Sequence, residues 1–219
     1  MLLYHGTSAV AARKAMTEGL KPRGSQSGNW THTIESNPKA VYLTDIYAPY
    51  FAVNASEGEV AVLEVDTDML DDTLLHPDED WLEQNGRHTE DGVKGNMHER
   101  TAYYRDHIAN WQHHWSDSVS YLGTCSYMGI IPPKAITQVA FWDWEKDMEM
   151  AMLVMDAMIM LMNHQIMAGK YRAITGWLMG KPVTPEDIMG ALATIAPPEN
   201  LKQLEAQLRN GHITREVLT

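Results

Sequence analysis

The sequence predicts an α+β domain followed by a helical C-terminal extension, and three observations carry that reading. Up to about residue 143, short apolar runs bounded by Gly, Pro and polar residues read as strands, interleaved with stretches of helical period. Beyond Trp144 the composition shifts, with ten of the fifteen methionines lying from Met148 onward. The length, 219 residues, suits one core plus an appendage and not two full domains. The boundary therefore falls at a domain over 1–143 and a Met-rich helical extension over 144–219.

Leu2 to His5 form an apolar strand that stops at Gly6, and Thr7 or Ser8 caps a helix from Ala9 to Glu18. Gly19-Leu20-Lys21-Pro22 ends it with a C-terminal glycine followed by proline. Arg23 to Lys39, rich in Gly, Ser, Asn and Thr, reads as a long surface loop. Ala40 to Thr44 is a second strand, and Asp45 to Ala55 a helix that tolerates Pro49 only in its first turn. Glu59 to Asp66 alternates Val60, Val62 or Leu63, and Val65 with acidic residues, the pattern of a strand. An acidic loop containing Leu75 to Trp81 follows. Met97 to Trp115 supports a helix whose Tyr104, Ile108, Trp111 and Trp115 recur at core-facing spacings. Ser120 to Met128 and Ala135 to Trp142 are two more strands, separated where Pro132-Pro133 forces a break.

The remainder reads as helical throughout: Asp147 to about Ala168, a helix opened by Thr184-Pro185-Glu186-Asp187, and another opened by Pro198-Glu199-Asn200. Met148, Met152, Met155 and Met162 lie along one side of the first, as a packing spine or as a surface for a partner or a second copy.

Composition narrows the function. Seventeen basic against 29 acidic side chains leave a formal charge of −12, which argues against a broad basic grip on nucleic acid. The single cysteine, Cys125, forbids an internal disulfide, and Met-Leu-Leu-Tyr-His lacks the basic and apolar regions of a secretory signal, so a cytoplasmic location is expected. The most apolar stretch, Met150 to Met162, is interrupted by Asp156 and is too short to cross a bilayer. No metal is expected, because His98, His107, His113 and His114 lack metal-ligand spacing. Neither Cys125 nor any serine sits in a glycine elbow suited to a nucleophile.

The chemistry concentrates in three segments. Tyr4-His5-Gly6-Thr7-Ser8 ends a strand, where glycine admits a ligand to the backbone and the imidazole offers a directional partner for a sugar hydroxyl or an amide. Val41-Tyr42-Leu43-Thr44-Asp45 with Ala48-Pro49-Tyr50-Phe51-Ala52 supplies a strand tyrosine and a helix tyrosine, and Ser126-Tyr127-Met128-Gly129-Ile130-Ile131-Pro132-Pro133 closes the set. In this order the segments resemble the ADP-ribosyltransferase superfamily, in its His-Tyr-Glu branch, which also includes DNA-modifying toxin relatives and RNA 2′-phosphotransferases. The resemblance covers roughly residues 2 to 142 and implies a split β-sheet with a cleft for NAD, used as substrate.

Carried onto this sequence, the resemblance implies that His5 bonds a ribose hydroxyl, that Gly6 with Thr7 takes the carboxamide side, and that Tyr42 and Tyr50 enclose nicotinamide. Cleavage of the glycosidic bond builds an oxocarbenium-like ribose, which suits a tight apolar clamp holding little water. Tyr47 is expected to be core packing. Arg23, Asn29 and Trp30 lie where relatives hold the adenosine and pyrophosphate, Arg23 as a phosphate fork and Trp30 as a stacking surface.

One departure stands out. The third motif of the branch carries a Glu, and Thr124 occupies that position here, beside Cys125 and Ser126. Three alternatives follow: an acid from elsewhere among Asp78, Glu79, Asp80, Glu83 and Glu99; a neutral hydroxyl in its place; or binding of a nucleotide without turnover. The Asp78 to Gln84 segment could supply such an acid, but it reads first as a solvated acidic turn at a helix start. The resemblance implies transfer of ADP-ribose from NAD to a macromolecule with nicotinamide release. Net charge tips the acceptor toward protein over nucleic acid, and the small format resembles bacterial or phage effectors. An RNA 2′-phosphotransferase needs several arginines on RNA phosphate, and few lie in these segments.

Overall fold

The computed structural model describes residues 1–25, 36–55, 58–143, 172–184, 186–187, 190 and 213–218. Trp30 and Asn29, the Met-rich helix expected from Asp147 to Ala168, and the helix expected after Pro198 lie outside the described residues. The strands are β1 (Leu2–Ser8), β2 (Val41–Thr44), β3 (Glu59–Asp66), β4 (Leu75–Pro77), β5 (Thr124–Tyr127), β6 (Ile136–Asp143) and β7 (Thr214–Val217). The helices are α1 (Ala9–Glu18), α2 (Ala48–Ala55), α3 (Glu79–Gln84), α4 (Arg87–Glu90), α5 (Met97–Asp106) and α6 (Trp115–Leu122), and residues 172–178 are also helical. The strands form one seven-stranded sheet in the order β4-β5-β2-β1-β3-β6-β7, antiparallel at every junction. The fold is thus mixed α and β, as the sequence predicts.

Each face of the sheet carries its own core. Against α1, the small residues Ala9, Ala12 and Ala15 pack on Leu3, Leu63, Val65 and Phe141. The caps of α1 are those the sequence offers: Ser8 accepts the Ala11 amide at 3.2 Å, and Gly19, at φ 85°, closes the last turn onto the Ala15 carbonyl. On the other face α2 packs against Tyr4, Val60, Val62 and Trp142, joined by Ile174 and Leu178 from the 172–178 helix. A Cβ at Gly6 would run into the Ala48 carbonyl oxygen and the Ala52 amide. Glycine at this position therefore lets the backbone of α2 lie directly on β1.

Several elements differ from the sequence expectation. β3 is buried on both faces rather than alternating between core and acid, and its Glu64, 3% exposed, pairs with Lys181 at 2.7 Å and accepts the Thr137 hydroxyl at 2.8 Å. The 97–115 helix is interrupted: α5 stops at Asp106, a 3₁₀ stretch from Ile108 to His114 contains Trp111 in a non-helical conformation, and α6 then runs to Leu122. The strand expected from Ser120 is accordingly shorter, because α6 claims its first residues until Gly123, at φ 84°, ends the helix. β4 is a strand the sequence reading leaves as loop, and Pro77 is accommodated because β4 is an edge. The all-helical reading of the C-terminal third is corrected by β7, which pairs with β6 from Gln138↔Val217 to Phe141↔Thr214. Arg215 fixes β7 to the 172–178 helix by donating to the carbonyls of Leu178 and Trp177, both at 2.8 Å. Further on, the Thr184 hydroxyl accepts the Asp187 amide at 3.1 Å, the cap the sequence signals.

Candidate active site

β1 is laddered to β3 along its whole length, from Leu2↔Asp66 to Ser8↔Val60, yet it pairs with β2 at Tyr4↔Thr44 alone. Past that pair the sheet parts, and a side chain spans the gap: His5 Nδ1 lies 2.8 Å from the Tyr42 carbonyl oxygen. A carbonyl only accepts, so Nδ1 carries the hydrogen and Nε2 of the neutral ring is left as an acceptor. Burial holds the imidazole below the usual histidine value, opposed by the bond to Tyr42, so the neutral form prevails at pH 7.

The alternation of β2 and β5 then sorts their side chains. Val41, Leu43, Cys125 and Tyr127 enter the core under α1, whereas Tyr42 and Thr44, with their cross-strand partners Ser126 and Thr124, line the opposite, polar face. This polar face is satisfied by α3. The Tyr42 hydroxyl accepts the Asn37 amide at 2.8 Å and donates to Glu79 Oε1 at 2.6 Å. The Thr124 hydroxyl donates to Asp78 Oδ2 at 2.7 Å, and the Ser126 hydroxyl to the Pro77 carbonyl at 3.1 Å. Ser118 of α6 locks the corner, donating to the Thr124 carbonyl at 2.7 Å and accepting the Asp78 amide at 3.0 Å.

Two adjacent carboxyl groups are thus held out of water on this face. Burial, reinforced by the charge of Asp78, pushes the Glu79 carboxyl up to about 8 against the opposing bond from Tyr42. Burial also raises Asp78, opposed by the Thr124 hydroxyl and the Asp80 amide. The Tyr42 phenol is held well above its usual range, first by burial and then by the charge of Glu79. The other acids of the neighbourhood are differently occupied. Glu83 is gripped by Arg100 and by His88, whose Nδ1 is 3.1 Å away. Glu99 is exposed and closes a capping box with Asn96. Asp80 faces solvent.

The remaining predicted residues are distributed as follows. Thr7 is half-buried on β1 opposite Ala61, and Gly6 faces α2. Tyr50 is 4% exposed in the second core, its ring 5.3 Å from that of Phe51, and burial pushes its phenol up to about 12. Tyr47 packs in the same core, as expected. Arg23 donates to the Ser36 carbonyl at 2.7 Å, and the Gly24 amide bonds the Pro38 carbonyl, so this arginine closes the neck of its loop. The structure therefore joins Tyr42 to Glu79 and Thr124 to Asp78 on one face, links His5 to them through the Tyr42 backbone carbonyl alone, and sets Tyr50 within the packed layer of α2. Asn37 was not singled out from the sequence; its place before Pro38 at the loop's end is the signal that marks it as a turn residue. Among the described residues, no three His, Cys, Asp or Glu side chains assemble as a metal-holding group, and no helix is long and apolar enough to cross a membrane.

No family model matches the sequence, and no curated protein matches it. Among solved structures the chain is similar to EcPltA, with 12% identity and a TM-score of 0.37 over 66% of this chain and 78% of that one. A likeness of that size assigns no family.

Proposed function

We propose that the chain binds NAD where β1 and β2 part and transfers ADP-ribose from it to a macromolecular acceptor in the cytoplasm, releasing nicotinamide, with protein favoured as the acceptor. The observation that carries this reading is the His5 imidazole spanning the parted strands, with its tautomer set by the Tyr42 carbonyl. The acceptor lone pair on Nε2 suits a ribose hydroxyl. The three sequence segments that suggested the chemistry fall on β1, β2 with α2, and β5 with the residues after it, on both sides of that parting. Tyr42 supplies a half-buried aromatic wall, and Arg23, at the neck of the loop, is the candidate for the pyrophosphate. Incubation of the full chain with NAD and a lysate of the cells that produce it is expected to release nicotinamide and label an acceptor. His5→Ala is expected to lower that release at least about tenfold.

A second reading has one observation in its favour: β5 carries no carboxylate, and Thr124 stands where the resemblance calls for one. A nucleotide-binding module without turnover would bind NAD saturably and release no nicotinamide.

A further inference from the structure

We propose that Glu79, the first residue of α3, supplies the carboxylate that β5 lacks, acting as the group that receives the acceptor's proton. This rests on the ADP-ribosyl-transfer reading. α3 delivers its two leading acids to the polar face of β2 and β5, Asp78 to the Thr124 hydroxyl at 2.7 Å and Glu79 to the Tyr42 hydroxyl at 2.6 Å. The neighbouring element thus brings two carboxyl groups to this face, Asp78 at the third-motif position itself and Glu79 one residue along, on the Tyr42 that pairs with Ser126. Tyr42 ties it to His5, because the same residue that orients Glu79 through its hydroxyl orients the imidazole through its carbonyl.

The alternatives are spent on structure. Asp78 caps α3 through the Asp80 amide at 3.0 Å and also holds Thr124, so both its oxygens are engaged. Glu83 is paired with Arg100, Glu99 serves its own helix cap, and Asp80, an exposed residue, is not the acid that receives the Tyr42 or the Thr124 hydroxyl. Glu79 is 4% exposed, and among the described residues no cation pairs with it. A carboxyl held this way, kept from water and unpaired with a base, has a raised affinity for protons, which suits a general base working near neutral pH. In the step proposed, the bond between the ribose C1′ and the nicotinamide nitrogen breaks with its electron pair leaving on nicotinamide. A hydroxyl or amine of the acceptor, or water, forms the new bond to C1′, and its proton passes to the Glu79 carboxylate.

The test compares nicotinamide release and NAD binding for the full chain and its Glu79→Gln and Glu99→Gln variants, with NAD and the producing-cell lysate. Glu79→Gln is expected to bind NAD within about threefold of the parent while lowering kcat by about 100-fold or more, and Glu99→Gln to stay within about twofold. A parent that turns over NAD and a Glu79→Gln variant within about threefold of it would overturn the assignment and leave the transfer reading standing. A parent that releases no nicotinamide would remove the transfer reading and this assignment with it. Should Glu79→Gln fail to fold, Tyr42→Phe removes only the orienting hydroxyl. It is expected to lower kcat about tenfold and to displace the acid limb of the pH–rate profile, and an unchanged kcat and profile would overturn the proposal.

Discussion

The β1–β3–β6 half of the sheet and the β2–β5–β4 half are built on opposite terms. In the first, seven- and eight-residue strands pair along their full lengths and bury apolar side chains on both faces. In the second, strands of three and four residues bury apolar side chains on one face only, while the other buries polar ones: Tyr42 and Thr124 against the acids at the start of α3, Ser126 against the Pro77 carbonyl, and Thr44 against the amides of Ile46 and Tyr47. Backbone ladders and hydrophobic area hold the first half, and side-chain hydrogen bonds hold the polar face of the second. Apolar and polar burial are thereby segregated across the line where β1 leaves β2. The polar half carries protonation equilibria that work against folding at high pH.

The largest break in this contrast comes from Gly6. A methyl group there meets backbone of α2, which cannot rotate away as a side chain would, so α2 must lift from β1. Gly6→Ala is expected to cost about 4 kcal/mol, read as a collapse of the denaturation midpoint. A loss below about 1 kcal/mol would show that α2 lies on β1 more loosely than the packing indicates. Next in size is the buried charge of the apolar half. Lys181→Met leaves Glu64 without its cation under the sheet and is expected to cost about 3 kcal/mol, with much of that recovered in the Glu64→Gln/Lys181→Met double variant. A double variant no more stable than the single would mean that the ion pair contributes packing and not charge compensation.

The polar half is sharpened by pH. Glu79, ordinarily near 4.5 and held near 8 in the fold, binds its proton more tightly folded than unfolded. Its contribution is therefore fully present below about 4.5 and is lost progressively as pH rises from there to about 8. Asp78 titrates in the same sense, and so does Asp80, raised to about 7 by burial and the charge of Asp78; Tyr42 and Thr124 are the other polar groups around the pair. Glu79→Gln is expected to match the parent near pH 4 and to exceed it by about 2 kcal/mol or more near pH 9 in urea unfolding, with the residual slope belonging to Asp78 and Asp80. The same titration predicts that kcat/KM of the parent rises with pH through about 8 and that the variant loses this rise. Parallel stability curves for parent and variant across that range would place the Glu79 carboxyl in water instead.

The two halves also differ in how far the sequence reveals them. β1, β2, β3 and β6 are legible because apolar runs of strand length are bounded by caps and breakers, and the residues singled out on β1 and β2 do meet, through His5 and Tyr42. β4 and β7 are not, because Leu-His-Pro and Thr-Arg-Glu-Val carry no alternation and become strands only by pairing with β5 and β6 at the sheet's edges. The Asp78–Gln84 segment reads first as a solvated turn, since a run of acids has no local signature of burial. What buries Asp78 and Glu79 is a tyrosine 37 residues earlier and a threonine 46 residues later, partners that no local pattern encodes. The interrupted helix after Asp106 misleads for a related reason: its aromatic spacing suits a helix, but Trp111 leaves the helical conformation and packs with Trp81 and Tyr104.

The smallest expected effect is the most discriminating for the site. Tyr42→Phe keeps the ring and the backbone carbonyl that holds His5, and removes only the hydroxyl between the Asn37 amide and Glu79. The Asn37 amide then loses its acceptor and Glu79 its donor, a loss of about 1 kcal/mol near pH 8. Because the Tyr42 bond favours the ionised carboxyl, its removal is expected to raise the Glu79 titration further. The cost should therefore shrink toward pH 5, where Glu79 is protonated in both proteins and can donate elsewhere. A cost independent of pH would assign the hydroxyl to the Asn37 turn alone and detach Glu79 from the His5–Tyr42 pair.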